Sequence, residues 1–91
     1  MELVLIPDIG AADSEDGNNF ADRQLLTAAQ CSMALKLHKA SQKGRHGWWD
    51  NSVCNMEELY SMREWALEDN DHASVLNFTA MIAMRESVES N

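Results

Sequence analysis

Residues 55–82 read NMEELYSMREWALEDNDHASVLNFTAMI, and this stretch decides the fold. It holds two amphipathic segments separated by Asp69-Asn70-Asp71, a spacer with room only for a tight reversal. Asn55 is a strong helix N-cap residue, and Glu58 three positions on completes a capping-box pattern. Behind that cap, Met56, Leu59, Met62 and Ala66 recur at helical spacing, with Tyr60, Trp65 and Leu67 widening the apolar face. The spacing predicts a helix from Met56 to about Asp69. Glu64 and Glu68 repel each other one turn apart and weaken it slightly. After the turn, Asp71 caps a further helix in which Val75, Phe78, Thr79 and Ile82 share a face. Leu76, Ala80, Ala83 and Met84 lie alongside. That is more apolar surface than one helix contact needs, and it predicts a helix serving both a core and an oligomer surface. The short connection makes these two helices antiparallel neighbours.

Upstream, a first and longest helix is expected from about Phe20 to Gln42. Asn19 can cap it, and Asp22 adds a favourable charge to its first turn. Leu26, Ala29, Met33, Leu37 and Ala40 recur at three and four, with Leu25 broadening the stripe. Lys36, Lys39 and Lys43 suit the C-terminal end of a helix, and Gly44 suits its stop. Residues 7–19, rich in Asp, Gly and Asn, read as a loop or tether. Residues 2–6 before them are apolar and β-branched. They are expected to pack as an arm on the helices, or to pair with another chain's arm. The fold class is therefore all-α, a compact three-helix bundle with an extended N-terminal arm and a Gly/Trp-rich loop between helices one and two. Its division is an acidic arm over 1–19 and a helical domain over 20–91.

Composition bounds the function. The chain has 91 residues, enough for one small domain that buries about 60–65% of its unfolded surface. It carries 15 acids against 7 Lys plus Arg, for a net charge of -8. That excludes a general nucleic-acid binder, which needs a cationic footprint. The charge is unevenly laid out. Residues 1–19 hold five acids and no base, residues 20–49 five bases and one acid, and residues 50–91 nine acids and two bases. Leu3-Val4-Leu5-Ile6 is too short for a signal peptide and has Glu2 in front of it. No apolar run approaches the ~20 residues that span a bilayer. Cys31 and Cys54 sit in no metal-spaced or redox motif, and two buried free thiols in a reducing cytoplasm is the simpler expectation over a single disulfide.

The densest oddity is Lys43-Gly44-Arg45-His46-Gly47-Trp48-Trp49-Asp50. Read as a binding loop, Arg45 and His46 meet an anion, Trp48 or Trp49 stacks on a base or clasps a peptide, and glycine-freed amides help hold a phosphate. Read as structure, a tryptophan folds over the open end of the bundle, with one of the pair buried and the other partly exposed. The two readings are compatible.

Catalytic chemistry is not legible. His38, His46 and His72 are far apart and form no ligand set. Asp13, Glu15 and Asp16 do not follow a calcium-loop pattern. Glu57, Glu58, Glu68 and Asp71 invite comparison with helical nucleotide pyrophosphatases. However, Glu57 and Glu68 are eleven residues apart, roughly 16 Å along a helix. That is too far for a two-metal clamp. Cys54 precedes a helix N-terminus, which could depress its pKa, but no base is placed beside it; an inert thiol is the expectation. No enzyme activity, metal or cofactor is expected.

Three blocks then carry a resemblance: Lys43-Gly44-Arg45-His46-Gly47-Trp48; Cys54-Asn55-Met56-Glu57-Glu58-Leu59; and Glu68-Asp69-Asn70-Asp71 followed by Val75 to Ile82. Together they resemble a family of small uncharacterised bacteriophage proteins, over roughly residues 30–86. That family has a Lys-Gly-Arg-x-Gly-Trp element, a Cys or Ser opening a helix, a Gly-Asp turn, and an Asp-Val-x-Asn-Phe-x-x-Met helix ending in Arg. Here Asn70 stands at the turn glycine and Ser74 at the second aspartate. The resemblance implies a phage or prophage accessory protein and carries no catalytic residue with it.

The leading expectation is a non-catalytic accessory protein, located in the cytoplasm of an infected or lysogenic bacterial host. It binds, and inhibits or modulates, a host protein with a basic surface through the acidic helical face of Glu57, Glu58 and Glu64. The alternatives are a small-ligand or nucleotide-binding oligomer using Lys39, Lys43, Arg45, His46 and Trp48, or a phage structural or assembly protein. A homodimer is the default assembly. No direct nucleic-acid or membrane partner is expected.

Overall fold

The structure, a computed structural model, describes residues 15–89, which form three helices: α1 (Glu15–Gln42), α2 (Met56–Glu68) and α3 (His72–Glu89). The N-terminal arm proposed for residues 2–6 lies outside the described residues. The all-α, three-helix architecture agrees with the sequence reading.

The α2–α3 hairpin follows from its caps. Asn55 is extended, and its side chain accepts from the Glu58 amide at 2.8 Å. At the other end Asn70 adopts φ +54°. The Asp71 amide then reaches the Ala66 carbonyl at 2.9 Å and the Asn70 amide reaches Leu67 at 3.1 Å. This is a Schellman ending with asparagine in the left-handed position. Asp71 then opens α3, accepting from the Ser74 amide at 3.2 Å and its hydroxyl at 2.7 Å. One three-residue turn thus closes one helix and starts the next.

The core lies between α2, α3 and the loop joining α1 to α2. Leu59, Ile82 and Cys54 form its buried centre, with Trp48, Met56, Met62, Phe78 and Met81 packed around them. Ala66 and Ala73 are also buried. None of the buried hydrophobic side chains comes from α1. The central helix is α3, which packs against both others, while α1 and α2 are not close neighbours. Asn77, buried in α3, donates to the Met33 carbonyl of α1 at 3.1 Å, and Lys36 of α1 pairs with Asp71 at 3.0 Å.

Several expectations need correction. Helix one begins at Glu15, five residues before the expected start, so Asn19 is an internal helical residue and not its cap. Acidic residues suit the first turn of a helix, and the Asp-Gly-Asn-Asn run read as loop is helical here. The apolar stripe of α1 is only partly used. Ala29, Met33 and Ala40 are half-buried, but Leu26 is 68% exposed and Leu37 43%. A helix of 28 residues is about 42 Å long, against about 27 Å for the 18 residues of α3. With α2 absent from its side, α1 has too little partner surface to cover its leucines. On α3, Val75 and Phe78 are half-buried and Ile82 is buried, but Thr79 is exposed. On α2, the widening residues Tyr60, Trp65 and Leu67 all point substantially to solvent. Finally, both cysteines are free, but only Cys54 is buried, and Cys31 is exposed on α1.

Candidate functional site

The loop after α1 is built from three devices. Gly44 closes α1 at φ +75°, with the Arg45 amide on the Ala40 carbonyl (2.9 Å) and the Gly44 amide on Ser41 (3.0 Å), a second Schellman ending. Gly47 has φ +88°, and a Cβ there would stand 2.8 Å from Val53 Cγ1, so both its backbone and its space demand glycine. Asp50 then accepts from the Ser52 amide (2.9 Å) and hydroxyl (2.7 Å), hydrogen bonds that hold its carboxyl below the usual range. The Val53 and Cys54 amides return to the Asp50 carbonyl.

Arg85 fixes this loop to α3. It is only 6% exposed, and its guanidinium donates to the Trp48 carbonyl (3.1 Å), the Cys54 carbonyl and Asn51 Oδ1 (3.0 Å). Its carboxylate contact, Glu89, is longer at 3.4 Å. A planar fork of donors suits scattered carbonyls better than any other side chain. Sequence reading did not assign Arg85 a role. Its signal was a lone base in an apolar helix, which is ambiguous until the loop folds over it.

The loop, the C-terminal part of α1, and the α2–α3 core enclose a half-open cleft of about 320 Å³. Its rim carries Lys36, Lys39, Lys43, Arg45 and His46. Its walls are Leu37, Ala40, Trp48, Cys54, Leu59, Met62, Phe78 and Met81, with Asp71, Ser74 and Asn77 as polar groups. The cleft exists because α1 and α2 both lean on α3 and not on each other. Within it, Asp71 is already committed. Burial alone would raise its pKa, but hydrogen bonds from Ser74 and Lys36, together with the Lys36 charge, outweigh that and hold the carboxyl below its ordinary value.

The residues proposed from sequence thus divide. Arg45, His46 and Trp48 come together on the cleft. Trp49 does not join them. It meets Trp48 edge-on at 6.0 Å but is 63% exposed. The expectation of one buried tryptophan is met only in part: Trp48 packs half-buried against the core. Glu57 and Glu58 line a separate shallow groove on α2 with Asn55, Ser61, Met62 and Trp65. Glu64 is exposed on the same helix, outside that groove. Trp65, which by its spacing widens the apolar face of α2, lines this groove and is 64% exposed.

Cys54 is not an activated thiol. Burial and the Glu58 charge push its pKa up, more than Arg85 lowers it. Among the described residues no group of three His, Cys, Asp or Glu side chains could hold a metal ion, and no helix is long and apolar enough to cross a membrane. Compared with protein-family models, with curated proteins and with solved structures, the chain matches none.

Proposed function

We propose that the protein is a non-catalytic binding module that engages a basic surface of a partner protein through the acidic outer face of α2. The observation that carries this reading is Trp65. A large aromatic side chain stands in solvent beside a groove walled by Glu57 and Glu58, with Glu64 and Glu68 on the same helix. Among the described residues none of these four carboxylates is in an ion pair. Tryptophan is the side chain most often found at the energetic centre of protein interfaces, and unpaired charges around it steer a partner of opposite sign. With the resemblance to small bacteriophage proteins, the reading is a phage-encoded accessory protein that inhibits or modulates a host protein in the bacterial cytoplasm.

The test is capture from a bacterial lysate with tagged protein, read by mass spectrometry, alongside Trp65→Ala and a Glu57→Lys/Glu58→Lys variant. One stoichiometric partner, lost or much reduced in both variants, supports the reading. Equal recovery with all three proteins rejects it.

Exposed apolar side chains elsewhere, namely Leu25 and Leu26 on α1 with Met84 and Val88 on α3, favour a second component of the proposal, self-association as a homodimer. Light scattering across a concentration series that gives only the monomer mass would remove it.

A further inference from the structure

We propose that the cleft between α1, the 43–54 loop and α3 is a binding site for an organic phosphate with a flat apolar body, of the nucleotide class. The site shares Met62 with the groove on α2 but includes none of that groove's carboxylates.

In a chain of net charge -8, all three lysines, Lys36, Lys39 and Lys43, line this one cleft, and Arg45 joins them. Lysines near a helix C-terminus complement its dipole, but that end carries only about half a negative charge. The helix-end carbonyls here are also partly satisfied by the Gly44 ending. Asp71 neutralises Lys36. Lys39, Lys43 and Arg45 remain, and among the described residues none of them has an ion-pair partner. Three uncompensated cations on one rim suit a phosphate of more than one negative charge better than a single carboxylate.

The floor supplies the other half. Below the rim lie Trp48, Met62 and Phe78, each half-buried, an apolar surface with two aromatic side chains. A volume of about 320 Å³ is at the small end for ligand sites and takes one mononucleotide rather than a strand. Aromatic side chains bind flat heteroaromatic rings without needing a particular base. A headgroup on the rim and a ring on the floor together match the amphipathic layout of the cleft.

The experiment is isothermal titration of the whole protein with AMP, GMP, CMP and UMP, with inorganic phosphate and with decanoate, repeated on Arg45→Gln and on Lys39→Gln/Lys43→Gln. All three substituted residues are exposed, so the variants keep the fold, which circular dichroism verifies. At least one nucleotide is expected to bind with quenching of tryptophan fluorescence, at least tenfold tighter than phosphate, and at least tenfold weaker in either variant. Four results would overturn the proposal: no nucleotide binding at millimolar concentration, phosphate binding as tightly as nucleotide, decanoate binding as tightly as nucleotide, or affinities unchanged in both variants. A Glu57→Lys/Glu58→Lys protein, altered on the α2 face, is expected to bind nucleotide as the parent does or more tightly.

Discussion

The guanidinium of Arg85 donates to the main-chain carbonyl of Trp48 across 37 residues of sequence, at 3.1 Å. With the Cys54 carbonyl and Asn51 as further acceptors, one buried cation organises the loop that walls the cleft. Replacing it by alanine leaves buried carbonyls unsatisfied, each costing about 1–3 kcal/mol. Arg85→Ala is therefore expected to lose about 3 kcal/mol in urea unfolding. Arg85→Lys, which keeps the charge without the fork, is expected to recover only part of that loss. Limited proteolysis checks the location, with cleavage within 43–54 appearing in both variants. Protection equal to the parent's would show that the loop holds without Arg85.

The two loop glycines are expected to differ in cost. Both have positive φ, which costs a non-glycine residue about 1–2 kcal/mol. At Gly44 an added Cβ meets open space, so Gly44→Ala shows that cost alone. At Gly47 the Cβ also meets Val53, so Gly47→Ala is the more destabilising change. Trimming the obstacle in Gly47→Ala/Val53→Ala is expected to return part of the difference. Thermal melts of the four proteins decide it, and equal melting temperatures for the two single variants would contradict the close approach.

Asp71 links pH to stability. Its folded pKa is below the ordinary value, so the folded state binds its proton less readily than the unfolded state. The contribution is fully present above the unfolded pKa of about 3.9 and is lost as pH falls through the lower folded value. Asp71→Asn keeps a capping side chain but not the carboxylate charge that pairs with Lys36, and is expected to flatten the acid limb of the stability profile. Asp71→Ala also loses the cap, costing about 1 kcal/mol more at pH 7. Urea midpoints between pH 2.5 and 7 provide the measurement.

The two thiols are expected to react in sequence. Cys31 is exposed and Cys54 buried with a raised pKa, so one equivalent of a disulfide reagent reacts at once at pH 8. The second reacts on addition of urea, or slowly as pH rises further. Cys31→Ser removes the fast phase. A fast phase that persists in that variant would place Cys54 at the surface.

The sequence alone determined the α2–α3 hairpin, because its signals are local. Asn55 and Asp71 each accept from the amide three residues on, and the end of α1 at Gln42 follows from Gly44 two residues later. The same local pattern groups Arg45 and His46 with the Trp48-Trp49 pair, without fixing which tryptophan packs inward. Asn70 takes the left-handed conformation that a turn glycine would. Only the tertiary structure decided the rest. Helical spacing locates an apolar stripe but not the partner that covers it, so Leu26, Leu37 and Trp65 lie on apolar faces yet stand largely in solvent, because α3 is too short, and too occupied with other contacts, to extend to them. Nor does spacing reveal that Arg85 meets carbonyls more than thirty residues away, or that Lys36 joins Lys39 and Lys43 on one cleft. Those are long-range facts, set when α1 and α2 pack on α3 without packing on each other.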